Sequence, residues 1–439
     1  MLAPLYRLKR RASILWRRYG AKRTAAQLSI LKRRGATALG AVALGLVALA
    51  FAEISDGAQR TFFAINKVAP FAPLLITPAA FALAVYLTNR WLSETRGSGI
   101  PQVIAASRDP GNPLLAPLIS IKTALAKLGL TVMLLFAGGS FGREGPTVQI
   151  SAAVMVGVHR LFRVPITPGV LIAGGAAGVA AAFNTPLAGV AFAIEELAAA
   201  YEQRVAILVM AAVMIAGLTS LGVAGDYVYF GVMNESLSVN AALMAAPVLG
   251  VVGGLSGGLF SRVVLSFSAR RGPLVSRILR RPILSAALCG LLVAVLGIAT
   301  GGETFGTGYE TTRMLIEGDG QSLWFAPAKY AATLASALSG NPGGIFAPSL
   351  AVGAGIGHLM SAIFSTYPVS AIVVLGMIAH FVGVVRAPLT AVIILSETTS
   401  NHAMILPLFA TALIADGVSA LVCRERLYHG LARPFIRSK

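Results

Sequence analysis

The chain has 439 residues, 56% of them hydrophobic and only 12% charged, yet 36 Lys and Arg against 17 Asp and Glu leave a net charge of +19. So basic a balance points towards nucleic acid, but a mean hydropathy of +0.77 and 47 glycines describe a polytopic membrane protein whose helices pack closely through small residues. Disorder, a collagen repeat and a disulfide scaffold are excluded, and Cys289 and Cys423 alone provide neither a disulfide framework nor a Cys-based metal site.

From the N-terminus, residues 1–36 hold eleven Lys/Arg and no acid. Interleaved apolar positions (Leu8, Ile14, Leu15, Leu28, Ile30 and Leu31) predict an amphipathic basic helix on the anionic inner leaflet. No small-residue cleavage site follows a short apolar core, so a signal peptide is not expected. Apolar stretches then run at about 37–52, 68–89, 121–139, 147–161, 169–183, 187–200, 205–223, 241–261, 283–300, 326–339, 346–364, 369–383, 388–396 and 404–423. Several fall short of the roughly 20 residues that a full crossing needs. Gly and Pro break them at 142–146, 185–186, 342–348 and 387–388. Broken helices at membrane depth survive only when buried in protein or lining a cavity, and in transporters they mark the binding site.

Three basic clusters carry the charge: +11 over 1–36, +6 over 262–281 and +4 over 424–439, which leaves −2 for the rest. Each abuts an apolar span, the pattern of cytoplasmic flanks, so the sequence places both termini in the cytoplasm and excludes a nucleic-acid module. The expected organisation is a basic helix over 1–36, a first membrane repeat over 37–225, an external linker over 226–240, a second and inverted repeat over 241–423, and a cytoplasmic tail over 424–439.

The repeat rests on one offset. Shifting the chain by 202 residues aligns Gly142-Arg-Glu-Gly-Pro146 with Gly344-Ile-Phe-Ala-Pro348, Pro186-Leu-Ala-Gly-Val with Pro388-Leu-Thr-Ala-Val, and Glu195 with Glu397. The first half's opening span leads towards Glu53 and Asp56, expected in a loop, whereas its counterpart leads into the basic 262–281 segment. Opposite flanking charge implies opposite topology, with a site between the halves near midplane.

Both 142–146 and 343–348 put Gly and Pro just before an apolar helix, where free N–H groups and the positive dipole end face outward. Two such ends meeting at midplane make an anion site without a buried lysine. Glu144 is costly there, and at a helix N-terminus its carboxylate competes with the anion until it is protonated. Of the acidic pair Glu195 and Glu196, the first has a repeat mate and suits a cap. The second has none and suits a proton relay.

With these residues in hand, the chain from about 37 to 434 resembles the CLC family of chloride channels and proton-coupled chloride exchangers, of the bacterial type without regulatory cytoplasmic domains. Gly97-Ser98-Gly99-Ile100-Pro101, Gly142-Arg143-Glu144-Gly145-Pro146 and Gly344-Ile345-Phe346-Ala347-Pro348 are similar to its anion-pathway signatures. Supporting matches are 182–189 and 386–390. The resemblance implies an all-α inverted repeat with broken helices meeting at midplane. It also implies chloride held by the Ser98 hydroxyl, the Tyr428 phenol and the N–H groups of Ile345 and Phe346, with Glu144 as external gate and Glu196 as internal proton glutamate. Gln102 and Ile104 depart from the family pattern, in which close bacterial exchangers carry acids there, and this bears on the inner proton route.

The expected function is chloride/proton antiport in a bacterial inner or plasma membrane, by a homodimer in the lipid bilayer, with no cofactor and no metal. The alternatives are a passive chloride channel of the same fold and a fluoride/proton exchanger, which Ser98, Tyr428 and Glu196 together disfavour. A hydrolase is a remote reading: Gly138-Gly-Ser140-Phe-Gly142 fits G-x-S-x-G but lacks the strand-turn-helix setting, and no enzyme is expected. His159, His358, His380, His402 and His429 show no metal spacing.

Overall fold

The computed structural model describes residues 3–197, 203–225, 228–269, 280–318 and 322–437, with the side chains of 3–26, 203–204 and 437 outside that description. The described residues form helices and short turns, with a single isolated antiparallel β-bridge. In chain order the helices are α1 (Ala3–Val68), α2 (Pro73–Trp91), α3 (Ile100–Arg108), α4 (Ile121–Phe136), α5 (Glu144–Leu161), α6 (Pro168–Phe183), α7 (Pro186–Phe192) and α8 (Gln203–Ala224). The second half continues with α9 (Val239–Ser268), α10 (Pro282–Ala299), α11 (Tyr309–Glu317), α12 (Phe325–Leu338), α13 (Phe346–Ser361), α14 (Val369–Val385), α15 (Pro388–Thr399), α16 (Ile405–Val422) and α17 (Leu427–Arg437).

The helix starts follow from proline. Pro73, Pro101, Pro168, Pro186, Pro282 and Pro388 each sit in the first two helical positions, where the missing N–H costs nothing and φ is already set. Helix ends repeat as well. α6 stops at Asn184 (φ 56) and α14 at Arg386 (φ 62), both left-handed, and each is followed two residues later by the proline that opens the next helix. Among the described residues each half holds eight helices, α1–α8 and α9–α16, in the same order, with α17 added at the end.

α6 and α14 are the centre of the molecule. Every residue of α6 from Gly169 to Phe183 and of α14 from Ser370 to Val385 is buried, as expected for helices that are apolar on all sides. Glycines let their neighbours approach. A Cβ on Gly257 of α9 would lie 2.4 Å from the Gly383 backbone of α14, and one on Gly353 of α13 would lie 2.5 Å from Gly376 O, the small-residue packing of membrane bundles. Among the described residues, five helices or parts of them are long and apolar enough to cross a membrane: Gln27–Val68, Val205–Ala224, Val239–Ser268, Pro282–Ala299 and Ile405–Val422. They turn large apolar side chains outward, among them Leu218, Leu288 and Leu413, a surface matched to hydrocarbon rather than water.

Two differences from the sequence reading have physical causes. Glu53 and Asp56 lie inside α1, which runs on to Val68, and not in a loop; Asp56 is anchored there by Arg143. The helices α3, α11 and α17 mix polar and apolar residues over 9, 9 and 11 positions, so no apolar run announced them. The amphipathic face expected over 1–36 falls mostly on side chains outside the described residues, and so does much of the basic 262–281 segment.

Candidate anion and proton site

The three glycine-rich signatures meet through backbone. Gly142 N–H donates to Gly344 O and Gly344 N–H to Gly142 O, both at 2.7 Å. Because these residues are 202 apart, the bridge joins the same point of the two halves, running antiparallel. Gly343 N–H donates to Gly97 O at 3.1 Å, which draws in the first signature. A Cβ on Gly344 would lie 2.8 Å from Gly142 O and 3.0 Å from Gly145 N, with Pro146 beside it. Gly142 is likewise enclosed by the Glu144 carboxylate and Pro348. Gly99 takes φ +110 at the start of α3, just before Ile100 and Pro101, and its missing Cβ gives Gly145 O room. No larger residue fits these crossings.

Glu144 opens α5 and is fully buried. Its Oε1 accepts from the Tyr309 hydroxyl, and its Oε2 accepts from Ala347 N–H at 3.4 Å, in the first turn of α13. The carboxylate of one half therefore sits at the positive end of the corresponding helix of the other, where an anion gains about 0.3–2 kcal/mol from the helix dipole. Ile345 and Phe346 stand at that same N-terminus, where N–H groups have no partner within the helix. Arg143 does not face the anion route. Its guanidinium donates to Asp56 at 2.6 Å, Ala52 O at 2.8 Å and Tyr229 Oη at 2.9 Å, tying the α5 start to α1.

On the inner side, Ser98 Oγ lies against Gly145, where a Cβ would come within 2.3 Å of it. Ser98 Oγ and Tyr428 Oη are both buried, and beyond the contact of the two hydroxyls with each other neither finds a hydrogen-bond partner in the protein. Two orphaned hydroxyls and a helix N-terminus around one point are a donor set suited to a bare anion. Tyr428 packs on Phe346 with ring centroids 5.8 Å apart and lies within electrostatic reach of both Glu144 and Glu196.

The acidic pair separates as its repeat pattern implied. Glu195 accepts from Leu389 N–H (2.9 Å), Thr390 N–H (2.6 Å) and the Thr390 hydroxyl (2.7 Å), capping α15. Glu397 returns the contact by capping α7 at Leu187 and Ala188. Glu196 is wholly buried on a single π-turn, Ala193–Leu197, and neither of its oxygens accepts a hydrogen bond. It is not bonded to Glu144, and His429 Nε2 stands 3.8 Å from its Oε1.

A family model described as voltage gated chloride channel matches residues 80–420. The chain belongs to the voltage-gated chloride channel family. Within the family it is 32% identical over 406 residues to proteins named H(+)/Cl(-) exchange transporter ClcA from Yersinia pestis bv. Antiqua (strain Angola) and Yersinia pseudotuberculosis serotype O:3 (strain YPIII), covering 85% of this chain and 81% of each relative. Its fold is that of a slow cyanobacterial Cl-/H+ antiporter (TM-score 0.80, 24% identity, 93% of this chain and 99% of that one). A CLC-type fluoride/proton antiporter shares the family fold at TM-score 0.73 and 20% identity, over 88% of this chain and 95% of that one.

Sequence reasoning missed a lysine pair and a tyrosine. Lys127 and Lys329 are also 202 apart and both fully buried. Lys127 Nζ donates to Thr95 O (2.7 Å) and to Gly97 O, and Lys329 Nζ to Thr304 O (3.0 Å) and Gly306 O (2.8 Å). The first pair holds Gly97-Ser98-Gly99, and the second holds Gly306-Thr307-Gly308, which leads directly to Tyr309. These loops align at an offset of 209 rather than 202, so a search at one offset passes over them. Ser140, the remote hydrolase candidate, bonds the Thr333 hydroxyl at 3.1 Å. Among the described residues, no three His, Cys, Asp or Glu cluster in a way that would hold a metal.

Proposed function

We propose that this protein is a membrane chloride/proton exchanger in which chloride and the Glu144 carboxylate compete for one place. The observation that carries the reading is Glu144 seated at the α13 N-terminus, next to the orphaned hydroxyls of Ser98 and Tyr428. Chloride binds between Ser98 Oγ, Tyr428 Oη and the N–H groups of Ile345 and Phe346. When Glu144 takes up a proton it loses the charge that held it at the helix end, so its side chain leaves and chloride enters. Deprotonation returns it and expels chloride, so the two ions move in opposite directions. Glu196, buried in the inner half, exchanges protons with the cytoplasm. The relatives' name as exchange transporters and the presence of both glutamates favour exchange over a passive channel; Ser98, Tyr428 and Glu196 together, by the family resemblance, disfavour the fluoride/proton reading.

The outward apolar faces meet lipid in a bacterial inner or plasma membrane, the termini lie in the cytoplasm, and two copies associate, each with its own pathway. Liposomes loaded with chloride test the reading when chloride efflux and proton uptake are recorded together. Wild type moves both; Glu144→Gln and Glu196→Gln keep chloride flux and lose proton movement. Chloride flux without proton uptake in the wild type rules out exchange.

A further inference from the structure

Glu196 poses a problem that its neighbours sharpen. A carboxyl group with no exposed surface and no hydrogen bond needs a carrier to trade protons with water. Glu195 is committed to the α15 cap through both oxygens. Gln102 and Ile104, on the helix that begins beside Ser98, are buried and carry no ionisable group. Arg426 donates to Glu195 O at 3.2 Å.

We propose that His429 is the proton-carrying residue between Glu196 and the cytoplasm, an inference that rests on the exchanger reading of the same site. Its Nε2 stands 3.8 Å from Glu196 Oε1, and its side chain is 30% exposed where Glu196 is at 0%. It is therefore in contact with the buried acid and with solvent at once. Its solvent side is an open pocket of about 550 Å³ lined by Arg108, Arg424, Glu425, Arg426, His429 and Arg433. Successive helical residues point about 100° apart, so α17 turns Tyr428 to the anion route and the very next residue to the proton route. That divides the two ions at a single turn.

In the inward step a proton from pocket water adds to the neutral imidazole. The imidazolium Nε2–H bond then breaks with its electron pair left on nitrogen, and the proton bonds to Glu196 Oε1, restoring neutral imidazole and leaving a carboxylic acid. Outward transfer is the reverse. The 3.8 Å gap closes by a small side-chain rotation or one bridging water. The groups facing His429 are Glu196 from the π-turn, Arg108 from α3, Arg424, Glu425 and Arg426 from the preceding segment and Arg433 from α17 itself; from α9, Leu265 packs on Gly430 next to it. Burial, with Arg108 and Arg426 adding to it, holds the imidazole below its ordinary value, which favours release of its proton to an acceptor.

The test compares wild type, His429→Gln and His429→Glu in chloride-loaded liposomes, with proton and chloride fluxes measured over a range of internal and external pH. His429→Gln keeps the size and polarity of the side chain but cannot titrate, and its proton-to-chloride flux ratio falls about ten-fold while chloride flux persists. His429→Glu restores a carrier, and proton flux returns with its pH profile moved to more acid values. An unchanged ratio in His429→Gln, or an equal fall of both fluxes, overturns the relay. Wild type that moves chloride and no protons removes the exchanger reading itself, which keeps the two failures distinct.

Discussion

Tyr309 sets how firmly Glu144 is held. Its hydroxyl donates to Glu144 Oε1, and its ring is fixed by Tyr229 at 4.4 Å between centroids and by the Arg143 guanidinium at 5.8 Å. Arg143 in turn reaches Asp56 on α1, so the Glu144 carboxylate is braced by a chain of side chains from three distant segments. A hydrogen bond to a charged carboxylate is worth about 1.5–3 kcal/mol. Tyr309→Phe removes it and keeps the ring packing, so chloride turnover rises as Glu144 spends more time out of the path. Flux measured in liposomes checks this; a rate at or below wild type shows that the bond does not hold the gate. Glu144 itself was legible in the sequence, because an acid between Gly and Pro in an apolar setting is conspicuous. Its tyrosine partner was not, because 165 residues separate them and no period links the two.

Caps exchanged across the repeat lock the elements together. Glu195 reaches the α15 N-terminus with contacts of 2.6–2.9 Å, while Glu397 reaches α7 at 3.1 and 3.4 Å. Loss of a cap costs about 0.5–2 kcal/mol, and hydrogen bonds weaken with length. Glu195→Ala therefore lowers the thermal unfolding midpoint in detergent more than Glu397→Ala does, and neither changes the proton-to-chloride ratio. A larger shift for Glu397→Ala contradicts the distances. The caps were half visible in advance: one offset paired Glu195 with Glu397 and Pro186 with Pro388, but which helix each acid serves required the fold. Helices α3, α11 and α17 escaped for another reason. They are short and mixed in polarity, so packing fixes them: α3 against α6, α11 against α13 and α14, and α17 against α3 and α9.

At the scale of the molecule, inversion places the same backbone twice at midplane and lets Gly142 and Gly344 bridge each other. Buried lysines follow the same symmetry, Lys127 behind the Ser98 loop and Lys329 behind the loop to Tyr309. Each donates to backbone carbonyls rather than to a carboxylate. The proposed topology places both termini on one side. Tags at the two ends of the chain in sealed, inside-in vesicles are thus both protected from protease, and cleavage of one alone contradicts the topology. The sequence by itself determined the membrane class, the repeated motifs and the glycine-proline breaks, because composition and local spacing are properties of the chain; it offered Glu144 and Glu196 as candidates, and the family resemblance added Ser98 and Tyr428. Only the tertiary structure decided what those residues touch: Glu144 on α13, Glu195 on α15, Tyr309 on Glu144 and His429 on Glu196. The physical reason is that each contact joins segments far apart in the chain, brought together by burial of helices apolar on every side, which specifies that they pack but not which polar groups end face to face.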